Sequence, residues 1–282
     1  MFKLNLGIDF SSGTRVQIES TQPLTQDIVS EKIENIGLPS DDIVISGENG
    51  DSAVVRYKDD FNQEEIKTLK TEMTEQFGKE PSVSTVSPTV GQELVKNALK
   101  ALMFAALGIV IYVAFRFEWR MGLASIVSLL HDAFLMVSIF SILRLEVDIT
   151  FIAAVLTIVG YSINDTIVTF DRIRENLNRS AKIETEEELA TIVNKSLRQT
   201  LGRSVNTVLT VILVVVALLI FGADGIRNFS IALLIGLLAG TYSSIYIAAQ
   251  IWFDLKVKEM RKNGGIEVKK EEKKWGSDEP IV

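Results

Sequence analysis

Asp165 lies inside a long apolar stretch, with Tyr161, Asn164 and Thr169 spaced three and four residues from one another around it. That spacing gathers the four side chains on one face of a helix. An ionisable residue in a membrane-crossing helix costs roughly 2.5–3.5 kcal/mol on insertion scales, and it usually has a task. A carboxylate there has two stable arrangements: neutral, or charged and paired with a cation such as Arg203. Switching between them as protons arrive is what a proton-coupled step needs. Arg203 opens a second polar stripe with Asn206, Thr207 and Thr210, and the chain's only histidine, His131, stands beside Asp132 in another apolar run. The competing reading is interhelical hydrogen bonding, worth about 0.6 kcal/mol per contact. It stays open for the Asn206–Thr210 stripe and for His131 and Asp132. It is weaker for Asp165, where asparagine would bond as well without the charge.

The elements that must carry these residues are membrane-crossing helices. Spanning the hydrocarbon core takes about 20 apolar residues, and five segments qualify, near 94–115, 121–143, 149–170, 205–222 and 229–253. Val211 to Phe221 holds no polar side chain. Asp165 falls about six residues, or ~9 Å at the helical rise, before Asp171 at the end of its span.

Composition divides the chain. Mean hydropathy is positive although 23% of the residues are charged, so the two properties occupy different regions. Residues 1–92 hold 8 Lys and Arg against 16 Asp and Glu, and residues 93–282 hold 21 against 20. The acidic front argues against nucleic acid as a partner, and with no cysteine disulfides are excluded. Lys and Arg concentrate in 171–204 and after Phe253, while 144–148 and 223–228 hold one Arg each. The rule that cytoplasmic loops are basic sets the 171–204 connection and a charged tail, 254–282, inside. The front domain, 1–92, is then extracytoplasmic and the membrane domain is 93–253. Met1 to Leu6 is no signal peptide. The expectation is therefore a further spanning helix upstream, making six, or a longer polypeptide of which this is the back part.

The front domain reads as short alternating elements. Thr14–Glu19 alternates as a strand. Thr25 can cap a helix with Ile28, Val29, Ile33 and Ile36 on one stripe. Asp42–Ser46 and Ala53–Tyr57 form strands joined across Glu48-Asn49-Gly50-Asp51, a hairpin-type turn. Asn62 starts a second helix with Ile66, Leu69, Met73 and Phe77 inward, stopped by Gly78, and Pro81–Val86 is a last strand. The order β-α-β-β-α-β predicts a small α+β ferredoxin-like sandwich. It carries no nucleophile–base pair, metal-ligand cluster or phosphate loop, which makes it a recognition or mechanical domain.

The stretch from Gly160 through Tyr161, Ser162, Ile163, Asn164 and Asp165 to Phe170-Asp171-Arg172-Ile173-Arg174-Glu175-Asn176 closely resembles the signature of the SecF family of bacterial protein-export subunits. Leu6 to Thr14 resembles the family's segment after its first helix, with Ser11-Ser12-Gly13 where Thr-Gly-Gly is usual. Phe221 to Ile226 and Gly236 to Tyr246 resemble its last helix pair. The resemblance implies a membrane α-helical bundle that is half of an RND-like unit, paired with SecD and associated with the SecYEG channel. It implies use of the proton motive force to assist late translocation of unfolded exported polypeptides, in the plasma membrane of a bacterium. It also implies proton coupling at Asp165 with Arg203 as partner and Asn164 as polar neighbour, while His131 and Asp132 are possible relay members. Such a protein moves protons rather than making bonds, so no enzyme and no cofactor are expected; the coupling ion is H⁺, with Na⁺ open. The alternatives are an RND-like exporter of small molecules or lipids, for which the front domain is small, and a non-transporting membrane scaffold.

Overall fold

Valine, isoleucine and threonine at alternate positions of 13–19 commit the front of the chain to a sheet. The structure is a computed structural model and describes residues 4–20, 22–35, 37, 38, 40, 42–46, 50–180 and 183–265. The chain divides into two units, one of residues 1–104 with 141–152 and one of 105–140 with 153–282.

The first unit opens with β1 (Asn5–Leu6), a short α1 (Ile8–Ser11) and β2 (Gly13–Glu19). α2 (Gln26–Asn35), β3 (Asp42–Ser46), β4 (Ser52–Tyr57), α3 (Gln63–Phe77) and β5 (Ser82–Val86) follow. The four longer strands form one antiparallel sheet in the order β3-β4-β2-β5, with Val16 opposite Val55 and Val83. Its inward residues Val16, Ile18, Ala53 and Val55 meet Val29 and Ile33 of α2 and Leu69, Met73 and Phe77 of α3 in one apolar core. α3 starts as its residues predict. Asn62 accepts from the amides of Glu64 and Glu65, Glu65 returns the bond to Asn62, and Gly78 closes the helix with φ +78°. Thr25 accepts from the Ile28 amide at the start of α2. The turn positions Glu48 and Asn49, and Ile36 of the first stripe, lie outside the described residues.

The segment 144–148, expected as a plain loop, holds β6 (Glu146–Val147), which pairs in parallel with β1. The Gly7 amide donates to the Val147 carbonyl at 2.8 Å, and Asn5 Nδ2 donates to the Arg144 carbonyl. Glu146 is 8% exposed and takes Arg56 at 3.0 Å and Arg15 at 3.8 Å. Asp9 accepts from the Ile149 amide and Asp148 from that of Phe151, so two carboxylates satisfy the start of the next helix.

Five helices among the described residues are long and apolar enough to cross a membrane, in agreement with the five segments read from hydropathy. They are α4 (Pro88–Arg116), α5 (Trp119–Ile142), α6 (Ile149–Arg179), α7 (Glu186–Phe221) and a last one built from three pieces. Those pieces are α8 (Arg227–Tyr242), a π-helical turn (Ser243–Ala248) and α9 (Ala249–Asn263).

The basic connection 171–204 differs from the loop expected of it. α6 runs on to Arg179 and α7 begins at Glu186, so most of the connection is helix. Charge hides a helical period here: Ile173, Leu177, Leu189 and Val193 enter a core with Phe170 and Trp252. Asn176 donates to Ser196 and Gln199 across the pair, and Thr185 with Glu188 forms a capping box. Ion pairs collect at this end, Arg116 with Asp171 at 2.6 Å, and Arg120 and Lys256 both with Glu259. Of the predicted charged tail, residues 254–263 continue α9, and 266–282 lie outside the described residues.

Candidate functional site

The polar residues of α6 recur every three or four positions as Tyr161, Ser162, Asp165, Thr166 and Thr169, and this face turns toward the neighbouring helices. Ser162, Thr166 and Thr169 are buried. Asp165 accepts a 2.5 Å hydrogen bond from the Ser204 hydroxyl of α7. Its other carboxylate oxygen is buried and has no hydrogen-bond partner. Beside it lies a cleft of about 10 Å³, lined by Tyr161, Ser162, Asp165, Val208, Gly240 and Thr241 among others. That volume holds about one water molecule.

Arg203 is one residue before Ser204 and is exposed; the direct bond to Asp165 comes from the serine. Asn164 is exposed as well. Asn206, Thr207 and Thr210 are also exposed, and the two threonines donate back to carbonyls of their own helix. The structure thus brings together Asp165 and a serine that sequence reasoning passed over. A hydroxyl one position from an arginine gives no signal beyond the helical period.

The second pair forms a separate cluster. Asp132 on α5 is 1% exposed. One of its oxygens accepts from Ser162 of α6 at 2.6 Å and from Ser243, the first residue of the π turn, at 2.8 Å. The other lies 3.2 Å from Nδ1 of the half-buried His131. The π turn closes its hydrogen bonds over five residues rather than four. It leaves both Ser243 and Ser244 buried, and Ser244 meets the Thr166 hydroxyl at 2.9 Å. The close approach depends on small residues. A Cβ on Gly240 would lie 3.2 Å from that of Ser162, and one on Gly236 would collide with Ile158. The Gly236, Gly240, Ser244 stripe, which sequence alone reads as plain packing, therefore makes room for a buried carboxylate. Grouped His, Cys, Asp and Glu side chains that could hold a metal ion do not occur among the described residues.

Comparison with known proteins identifies the family. The family described as protein export membrane protein SecD/SecF, C-terminal, matches residues 65–258, and the SecD/SecF GG motif matches residues 1–24. The chain is 56% identical to the protein translocase subunit SecDF of Bacillus subtilis, over 93% of this chain and 36% of that relative. It is 44% identical to the protein translocase subunit SecF of Alicyclobacillus acidocaldarius, over 93% of this chain and 86% of that one. The crystal structure of SecDF from Thermus thermophilus, a translocon-associated membrane protein, superposes with a TM-score of 0.80 at 36% identity. That match covers 90% of this chain and 34% of the SecDF chain. The chain thus spans about a third of the length of the SecDF proteins it matches, and it belongs to the SecD/SecF family of protein-export membrane proteins.

Proposed function

We propose that this chain is the SecF part of an accessory unit that uses the proton motive force to assist protein translocation through the Sec channel. One observation carries the reading: Asp165 lies in a membrane-crossing helix with one carboxylate oxygen buried and without a hydrogen-bond partner. A group so placed can take and release a proton without dismantling a hydrogen-bond network, since its held oxygen stays on Ser204. A proton crossing the whole membrane field delivers about 2.3 kcal/mol per 100 mV, which is transport coupling rather than catalysis and calls for no cofactor.

Asn164, Arg203 and Asn206 are exposed on apolar helices, and charged groups at membrane depth face a protein neighbour or water rather than lipid. We infer that the SecD half covers this face and that Arg203 partners Asp165 when it does. The front unit's βαββαβ order and its sheet order support a ferredoxin-like fold, and the helices support an RND-like half. On the positive-inside rule the ion-paired end of the helices is cytoplasmic and the front unit extracytoplasmic, in a bacterial plasma membrane. There the front unit would hold emerging unfolded polypeptide delivered through SecYEG.

The test is export of a reporter precursor in membrane vesicles that carry this chain with SecD and the channel, with or without an imposed proton gradient. The reading expects export to rise with a proton gradient and to be indifferent to a sodium gradient. A response to sodium alone would reassign the ion. No response to either would favour a scaffold.

A further inference from the structure

Asp132 is a second carboxylate within the described membrane helices, more deeply buried than Asp165, and its surroundings are built for two charge states. Its Oδ2 accepts from Ser162 and Ser243, bonds that both a carboxylate and a neutral acid can accept there. Its Oδ1 faces His131 Nδ1 at 3.2 Å. That contact also serves both states. With the proton on nitrogen, Nδ1–H donates to the carboxylate; with the proton on oxygen, Oδ1–H donates to a neutral imidazole. One hydrogen bond survives either way, so the proton can sit on either side without leaving a buried group unpaired.

We propose that Asp132 is a second proton-binding carboxylate of this protein, sharing its proton with His131 and tied to the last membrane helix through the π turn. The step balances simply. A proton taken up by the imidazole makes imidazolium; its Nδ1–H bond then breaks as an Oδ1–H bond forms on Asp132, leaving neutral imidazole and neutral acid. His131 is partly exposed and serves as the entry side. Ser162 serves the other, since it donates to Asp132 and also lines the cleft beside Asp165. One serine side chain thus stands between the two carboxylates. The titratable and charged groups around the pair are Tyr242, whose ring centroid lies 6.5 Å from that of His131, Tyr246 stacked on Tyr242, Tyr161 and Asp165 at the cleft, and Arg203, one residue before the serine that holds Asp165. A π turn inside an α-helix often marks a functional site. Here it presents Ser243 to the carboxylate, so a change of charge on Asp132 is felt directly by the last helix. The place of this step in a transport cycle rests on the export reading; the proton binding does not.

Infrared difference spectroscopy of the full chain reconstituted in lipid vesicles and titrated with acid tests this. The expected result is a protonated-carboxyl band that disappears in Asp132→Asn and persists in Asp165→Asn. In His131→Gln its midpoint moves by about one pH unit or more. Ser162→Ala and Ser243→Ala keep the carboxyl but remove one hydrogen bond each, so each shifts the band's frequency. These two variants also serve if Asp132→Asn does not insert. The proposal is overturned if the Asp132→Asn spectra superimpose on those of the unaltered protein. It is equally overturned if the two serine variants leave every carboxyl band unmoved, or if His131→Gln leaves the midpoint in place. None of these readouts is export, so this inference and the export reading can fail separately.

Discussion

At the scale of single residues, Ser12 stands at φ +59° and ψ 169°, a region that glycine alone occupies without strain. Ser11-Ser12-Gly13 stands where the family resemblance implies Thr-Gly-Gly, and the backbone shows why the middle position favours glycine. Ser12→Gly is expected to stabilise the front unit by about 1 kcal/mol, the relieved strain exceeding the extra entropy of an unfolded glycine. Thermal melts of the two proteins in detergent check it, and a lower melting temperature for the variant would refute it. Legibility at this scale was uneven. Asp165 announced itself because a carboxylate is costly in an apolar run. Ser204, Ser162 and Ser243 did not, since a serine in a membrane helix costs little and bonds to its own backbone as readily as to a neighbour. Asp132 could be seen as polar, but its partners come from positions 30 and 111 residues away, which no local spacing reveals.

At the scale of elements, the strands and helices of the front unit follow their caps, with Asn62, Gly78 and Thr25 acting where their types require, while of the predicted α2 stripe Val29 and Ile33 are buried and Ile28 is exposed. Two features were hidden. The helical extensions of α6 and α7 were masked by their charge, and β6 by its length of two residues. β6 matters because it ties the first residues of the front unit to the start of α6, the helix that carries Asp165. Glu146 holds this tie through Arg56 and Arg15. Glu146→Gln takes the Glu146 carboxylate from partly buried Arg15 and leaves Arg56 only the longer pair with Asp42 at 3.5 Å, and it is expected to cost about 3 kcal/mol locally. Amide exchange at Gly7, whose N–H bonds to Val147, should then quicken roughly a hundredfold; unchanged exchange would mean that strand pairing holds without the ion pairs. Within the sheet, burial pushes the Tyr57 hydroxyl well above its ordinary range, and it has no hydrogen-bond partner. The folded unit therefore favours the neutral phenol. The stability this contributes is whole below pH ~10 and is lost as pH rises past that value, because the unfolded chain ionises first. Tyr57→Phe should flatten the alkaline end of the stability profile. A profile equally steep without the phenol would assign the loss to other groups.

At the scale of the whole molecule, the division into an acidic front and an apolar helical region was plain from composition alone, and five membrane helices follow from length and hydropathy. What composition could not give is that the second unit encloses two separate carboxylates with different settings, one held by a single serine and one by two serines and a histidine. On the proposed reading Asp165 is the group that converts a proton gradient into work. Gradient-driven export by Asp165→Asn, compared with the unaltered chain at matched insertion and SecD binding, tests it most directly, because asparagine keeps the hydrogen bond from Ser204 and removes only the titration. The account predicts that the gradient-dependent increment of export disappears while gradient-independent export remains. Export that keeps its full gradient dependence in the variant would contradict it.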